Sequence, residues 1–485
     1  MNRYTVFWLL ILSLAGWLRF HDLDNRPVHA DEATGARIVA RALDGDYRFD
    51  PVHYHGPVFH RLGQWTSSLA GHHRWQEMEM LPLRQLTALA GLLTVALPLL
   101  GVRRFGQAPM LVSSLLLATS PLLVYYSRMF IHESLLALFG GLVLVQLASG
   151  RAYGAIGFWL GLMYATKETF VLTLAGWGIA AVLLWGLLGK SRPPVRDLFQ
   201  KHRGDFMIGI VSFLAISLAF YTDGFRHWQG AIDAVRTYFI YDTTEGHDKA
   251  AWWYLDFLAW PLKSGGLWWW TGAPLILAIL AAWKCRTRTV RFLALAILAQ
   301  LAVYSAIAYK TPWLMVLPWA QVLLLAGFSL RIVPPGNSWR WGAACVLTTL
   351  VSWQTLQSWR SSFVYPSEAR NRFAYVPTSP DMENLNGWLD QLAAAYPELP
   401  LSPIGIIGHG YWPLPWYLRQ RGPVGHWDHP PASLARLPLV FSMVDLTAEL
   451  AETHVPIPRG LRDGNPVMVW VRNDFWDASV AQPHP

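Results

Sequence analysis

The sequence predicts a polytopic α-helical membrane protein of about eleven spans with a small C-terminal extracytoplasmic α/β domain. Three observations predict it. Of 485 residues, 53% are hydrophobic and only 14% charged, whereas a water-soluble domain carries charge at about a quarter of its positions. Runs such as "APMLVSSLLLATSPLLVYY" and "SFLAISLAFY" reach or approach the roughly 20 apolar residues that cross a hydrocarbon core. Beyond about residue 358 the apolar runs become too short to span and alternate with helical patterns. A β-barrel would need alternating segments of about ten residues, and none are present.

The spans are expected at 4–20, 82–101, 108–126, 131–148, 153–166, 169–188, 206–222, 268–283, 292–308, 313–330 and 341–357. The first run, "YTVFWLLILSLAGWLRF", follows Arg3 and lacks a clear small-x-small site, so it reads as an uncleaved signal anchor. With the N-terminus inside, the inner loops hold Arg103, Arg104, Arg151, Lys190, Arg192, Arg196, Lys201, Arg203, Lys284, Arg286, Arg288, Arg291, Arg331 and Arg340. The short outer links hold only Arg128, Lys167 and Lys310. This asymmetry alternates through every span, as the positive-inside rule requires. The expectation is a multi-pass protein of the cytoplasmic (inner) membrane, N-terminus in the cytoplasm, whose residues 1–357 form a transmembrane domain and whose residues 358–485 lie outside. Two large outer loops are expected, 21–81 and 223–267.

The first outer loop has structure of its own. "DEATGARIVARALDG" spaces Ala33, Ala36, Ile38, Val39, Ala42 and Leu43 helically and ends at a glycine. "PVFHRLGQWTSSLAG" repeats the design, with Pro57 at the helix start. Both read as amphipathic helices on the membrane surface. In the C-terminal domain, "SPDMENLNGWLDQLAAAYPEL" reads as a helix capped at Ser379 or Asp381, and "PIGIIGHG", "LPLVFSMVD" and "GNPVMVWVRND" read as strands.

The net charge of +8 does not imply nucleic acid, because the basic residues gather in inner loops rather than in a stripe. Cys285 and Cys345 offer no extracytoplasmic disulfide. No P-loop, G-x-G-x-x-G, G-x-S-x-G, H-E-x-x-H or C-x-x-C motif occurs. ATP-driven transport, nicotinamide chemistry, serine hydrolysis and the common zinc-protease design therefore lack their signs.

Chemistry concentrates at the outer ends of the spans. "RPVHADEATG" places His29, Asp31 and Glu32 together, and the same loop adds Asp50, His53, His55 and His60 in "DPVHYHGPVFHR". Clustered imidazoles and carboxylates in one loop are a catalytic or metal-site candidate. "SRMFIHES" puts Arg128, His132 and Glu133 at the head of a span, where Glu133 also suits the helix dipole. Lys167 and Glu168 in "ATKET", and Lys310 in "YKTPWL", are charges beside the membrane, which normally face a cavity or a partner. A cation so placed suits a lipid phosphate. The 27 tryptophans belong mostly to interfacial belts.

These residues resemble those of the GT-C glycosyltransferases, which include protein O-mannosyltransferases and the lipid A aminoarabinose transferase. "RPVHADEA", "YHGP", "SRMFIHESLLALF", "ATKET" and "YKTPWL" look most like the branch of flippase-activity-associated glycosyltransferase-like proteins. The resemblance implies an enzyme that moves a sugar from a polyprenyl-phosphate carrier to a protein, lipid or glycan acceptor on the outer membrane face, with inversion. Asp31 matches the catalytic acidic position, with Glu32 as its companion orienting the acceptor or a cation. Lys310, Arg128 and Lys167 are the candidates for holding the departing lipid phosphate, with Glu168 and His55 as further substrate-binding candidates. Glu133 matches a second acidic position that holds a divalent metal in some members. With His29 and His53 it forms a candidate set for magnesium, manganese or zinc, imidazole favouring the latter two. Two other readings stay open: a lipid-linked sugar flippase or its accessory factor, and a membrane metal-dependent hydrolase.

Overall fold

The computed structural model describes residues 3–150, 154–189, 194–240 and 246–481. Arg151, Lys190 and Arg192, used above to orient the chain, lie outside the described residues. Each of the eleven expected spans coincides with helix. Five helices are long and apolar enough to cross a membrane: Met80–Phe105, Phe170–Leu187, Arg203–Tyr221, Arg288–Ala306 and Pro312–Ile332. Gln107–Thr119 and Pro121–Ser127, bent by 58° where they meet, make a sixth when counted together as one span. Ser120 between them is extended, with ψ 120°, because the Pro121 ring bars its predecessor from the helical region. Tyr4–Phe20, Glu133–Ser149, Gly154–Tyr164 and Ala273–Lys284 are apolar but shorter. Asn337–Trp359 is 23 residues long yet less apolar than the five. The span expected at 268–283 starts later than its hydropathy suggests. Strands β1 (Leu262–Ser264) and β2 (Leu267–Trp269) form a hairpin first, and the helix begins at Ala273.

The helices sort their ends. At one end Arg104 donates to the Ser149 carbonyl and Arg331 to that of Phe105, gathering the basic loops. At the other end Arg128 reaches Asp22, His55 reaches Glu168, and Lys310 reaches Lys249, gathering the two large loops. Helices Gly154–Tyr164 and Arg203–Tyr221 touch backbone to backbone. A Cβ on Gly157 would lie 1.8 Å from the Gly209 carbonyl oxygen, so glycine is what permits the approach.

The C-terminal region folds as a mixed five-stranded sheet, ordered β4-β3-β5-β7-β6. Its strands are β3 (Ile404–Ile407), β4 (Val424–Trp427), β5 (Leu439–Ser442), β6 (His454–Arg462) and β7 (Asn465–Arg472). β3 pairs in parallel with β4 and β5, and β7 pairs antiparallel with β5 and β6. The three expected strands are β3, β5 and β7. β6 escapes sequence reading because Pro456 and Pro458 interrupt it, which only an edge strand tolerates. The expected helix is split: Ser379 caps the short turn Pro380–Met382, and Leu385–Ala395 follows. The sheet region docks onto the first outer loop. Tyr417 Oη accepts from Val28 N at 2.9 Å, Thr378 Oγ1 donates to Val28 O at 2.8 Å, and Arg419 Nε donates to Met78 O at 3.1 Å.

Candidate functional site

The opening motif is a helix start. Ala30–Leu43 is closed by a capping box in which His29 Nδ1 accepts from Asp31 N and Glu32 Oε2 accepts from His29 N. Successive helical residues diverge by about 100°, so the two acids separate. Asp31 is 54% exposed in its side chain. Glu32 is fully buried, with its oxygens 2.8 Å from Arg84 Nε and Nη2, 2.9 Å from Phe130 N and 3.1 Å from His29 N. Burial alone would raise its pKa, but the Arg84 guanidinium outweighs this and holds it at about 2. The companion role expected for Glu32 does not fit this placement, since its acceptor capacity is spent within the protein.

Three other motifs interlock beside it. Gly56 of "YHGP" lies against the Ala165 backbone, where a Cβ would come within 2.4 Å of the carbonyl, and Val58 N donates to Ala165 O at 2.8 Å. This close approach sets His55 Nδ1 2.9 Å from Glu168 Oε2. Lys167 Nζ pairs with Glu133 Oε1 at 2.5 Å, so the second acid and the expected phosphate cation neutralise each other. Burial would raise the Glu168 carboxyl, but His55 and Lys167 pull it to about 2. The rings of His55 and His60 lie 4.9 and 5.4 Å from that of His132. Burial keeps His60 neutral. His60 Nδ1 and His132 Nε2 are buried without a hydrogen-bond partner among the described residues.

The residues expected to hold a metal do not converge. His53 pairs with Asp50 at 3.0 Å on the surface, His29 Nε2 meets the Tyr375 carbonyl at 3.1 Å, and Glu133 is taken by Lys167. Among the described residues no group of three His, Cys, Asp or Glu side chains is placed to hold an ion. Arg128 also departs from expectation. It donates to the carbonyls of Leu18, Arg19, His21 and Asp22, capping the C-terminal end of the first helix. It faces the end of that helix rather than an open hollow.

Asp31 instead meets residues that the sequence did not single out. Its charge acts on His247, from the second outer loop, and on Arg462, from the end of β6. Burial lowers the pKa of both, and Asp31 opposes this. His247 Nδ1 is 2.7 Å from Tyr375 Oη, and the Tyr375 ring packs edge-on to Trp313 of "YKTPWL". Lys249 stands 5.9 Å above the same ring. Lys310 is buried and secures this loop. Its backbone N donates to His247 O at 3.0 Å, and its Nζ donates to Lys249 O at 3.2 Å and to Ile307 O. Tyr309 closes the circuit, its ring 5.2 Å from His247 and its hydroxyl within the field of Lys167. Charge and ring contact thus couple Asp31 to His247, His247 to Tyr309, and Tyr309 to the Lys167–Glu133 pair. His247 and Lys249 carried a weak signal, "GHDK" in an outer loop; Tyr375 and Arg462 carried none.

No protein-family model matches the chain, and no curated protein matches it significantly. Solved structures do. ArnT from Cupriavidus metallidurans, in the apo state, is 17% identical with a TM-score of 0.67, the alignment covering 99% of each chain. The same protein bound to undecaprenyl phosphate is 16% identical with the same TM-score, covering 99% of this chain and 100% of that one. The oligosaccharyltransferase AglB from Archaeoglobus fulgidus, in complex with an inhibitory peptide and a dolichol-phosphate, is 13% identical with a TM-score of 0.54, covering 93% of this chain and 70% of that one. Identity this low speaks to the fold alone: over nearly its whole length the chain is folded like ArnT, and over 93% of it like AglB.

Proposed function

We propose that the chain is a glycosyltransferase that moves a sugar from a polyprenyl-phosphate carrier to an acceptor hydroxyl at the outer face of the cytoplasmic membrane. The observation that carries this is the separation of Asp31 from Glu32. One carboxylate is anchored by Arg84, which leaves the other exposed, 3.8 Å from the His29 ring and within the electrostatic reach of His247 and Arg462. A hydroxyl is a weak nucleophile, and Asp31 is the base placed to take its proton. The oxygen then bonds to the anomeric carbon as the bond to the lipid phosphate breaks, with inversion, and the carrier leaves as a phosphate monoester. The growing charge on that phosphate requires fixed cations. Lys310 has three donors, of which two are given to carbonyls, so one remains to meet it.

The orientation follows from the sorting of helix ends: basic loops on the inside, and the Asp31 loop and C-terminal sheet on the outside. The solved neighbours named with undecaprenyl phosphate and dolichol-phosphate support a carrier of that chemistry. Because the expected metal ligands do not converge, no step is assigned to a metal. The test is turnover of undecaprenyl-phosphate-linked hexoses by the purified full chain in detergent, with separate detection of free sugar and transferred sugar. Transfer by the wild type and its loss in Asp31→Asn are expected. Absence of any turnover across the hexoses, or full activity in the variant, would overturn the reading.

A further inference from the structure

Arg462 belongs to the C-terminal sheet, yet its charge interacts with Asp31 of the first outer loop. The placement is built. β6 and β7 slip register between Gly460 and Arg462, a bulge of the kind that re-aims a side chain. The backbone there is held from the other side. Thr378 bridges Arg462, Ser379 N donates to Leu461 O, and Asp463 N donates to Pro377 O, both at 3.0 Å. Gly464, with φ +74°, then turns the chain back into β7. Among the described residues one hydrogen bond holds the guanidinium, from Nη2 to the Gly410 carbonyl at 3.0 Å. Its Nε is buried with no partner among the described residues.

Beside this arginine lies a cleft of about 530 Å³, whose polar lining includes Ser367, Ser379, Arg462, Asp463 and Asn465. That volume is in the range of small-ligand sites, roughly 300–1,000 Å³. The cleft shares the walls Ser367 and Pro377 with a small cavity lined by His29, Trp313 and Tyr375. The two therefore lie side by side, and His29, which caps the Asp31 helix, lines the second.

We infer that this cleft is a carbohydrate subsite, in which Arg462, Asp463 and Asn465 hold a sugar of the acceptor and turn one of its hydroxyls toward Asp31. Planar guanidinium, carboxylate and amide groups supply paired donors and acceptors that match vicinal hydroxyls. No large apolar side chain lines the cleft, so an acyl chain or an apolar peptide finds nothing to bury there. The C-terminal sheet then selects the acceptor, and the membrane helices hold the donor.

The inference deepens the glycosyltransferase reading, but its test reads binding rather than transfer. Saturation-transfer difference NMR on the detergent-solubilised full chain would be run with methyl α-mannopyranoside and methyl β-glucopyranoside, with glycerol as the open-chain control. At least one hexoside is expected to bind saturably where glycerol does not. Arg462→Gln and Asp463→Asn should each weaken it at least fivefold, undecaprenyl phosphate should not displace it, and the melting temperature should hold. Asn465→Ala, at the exposed turn, serves as a third variant should Arg462→Gln disturb folding. Binding of neither hexoside, equal binding by the variants, or displacement by the carrier would overturn the inference. Hexoside binding without any sugar transfer would instead strike at the catalytic reading and leave this one standing.

Discussion

Asp31 and Glu32 are neighbours in the chain and opposites in surroundings: the first is 54% exposed in its side chain, and the second is sealed against Arg84 at 2.8 Å. The capping box on His29 enforces the difference by fixing where the helix begins. Asp31→Asn should lower the rate of transfer by about 10²–10⁴, the usual worth of a positioned base. Its thermal melting curve should match the wild type. A large drop in melting temperature would mean that Asp31 is a structural residue.

Glu32→Gln should do the reverse. It keeps the shape but leaves Arg84 buried without its counter-charge, at a cost of about 3–5 kcal/mol. Reduced yield and a lower melting temperature are expected. The double variant Glu32→Gln/Arg84→Met should be less unstable than the sum of the single changes, because the two groups are coupled.

Arg128 and Lys310 should separate in the same way. Arg128→Gln removes the donors that close the first helix, so stability falls while the KM for carrier-linked sugar stays put. Lys310→Gln removes the ammonium proposed to meet the phosphate, so that KM should rise at least tenfold. Equal effects on donor KM would refute the distinction.

Gly56→Ala should uncouple "YHGP" from "ATKET". The new methyl group would meet backbone atoms of Ala165 at 2.4 Å, and backbone cannot step aside as a side chain can. Overpacking of this kind costs about 1–3 kcal/mol. The His55–Glu168 contact should be lost with it, read as a loss of both melting temperature and turnover.

Stability should fall in mild acid. Burial lowers the pKa of His60 to about 3. The unfolded chain takes up this proton below about pH 6.5 and the folded chain does not until far lower pH. His60 therefore costs roughly 1.4 kcal/mol per pH unit below that point. Glu168, held at about 2, adds its own loss as pH falls from its ordinary value toward 2. Melting temperatures measured from pH 8 to pH 5 should decline, and less steeply in His60→Phe. An unchanged slope in that variant would contradict the assignment.

The sequence by itself determined that the chain is a polytopic membrane protein. Long apolar runs have one stable home, the hydrocarbon core, and that is legible in a string of letters. It also determined local starts and stops, such as Pro57 at one helix start and Ser379 at another. These depend on a few neighbouring residues, so a linear reading captures them.

Tertiary structure alone decided which charges remain free. Asp31 and Glu32, or Arg128 and Lys310, look equivalent in a string of letters. Their partners are Arg84, the end of the first helix and the loop around His247, which are brought in by folding from 52 to more than 100 positions away for Glu32 and Arg128. The sheet's contribution was hidden for the same reason. Arg462 comes within the electrostatic reach of Asp31 only because an edge strand with two prolines and a register slip is docked by long-range contacts that no local pattern encodes. Burial and pairing set the state of an ionisable group, and both are properties of the folded chain.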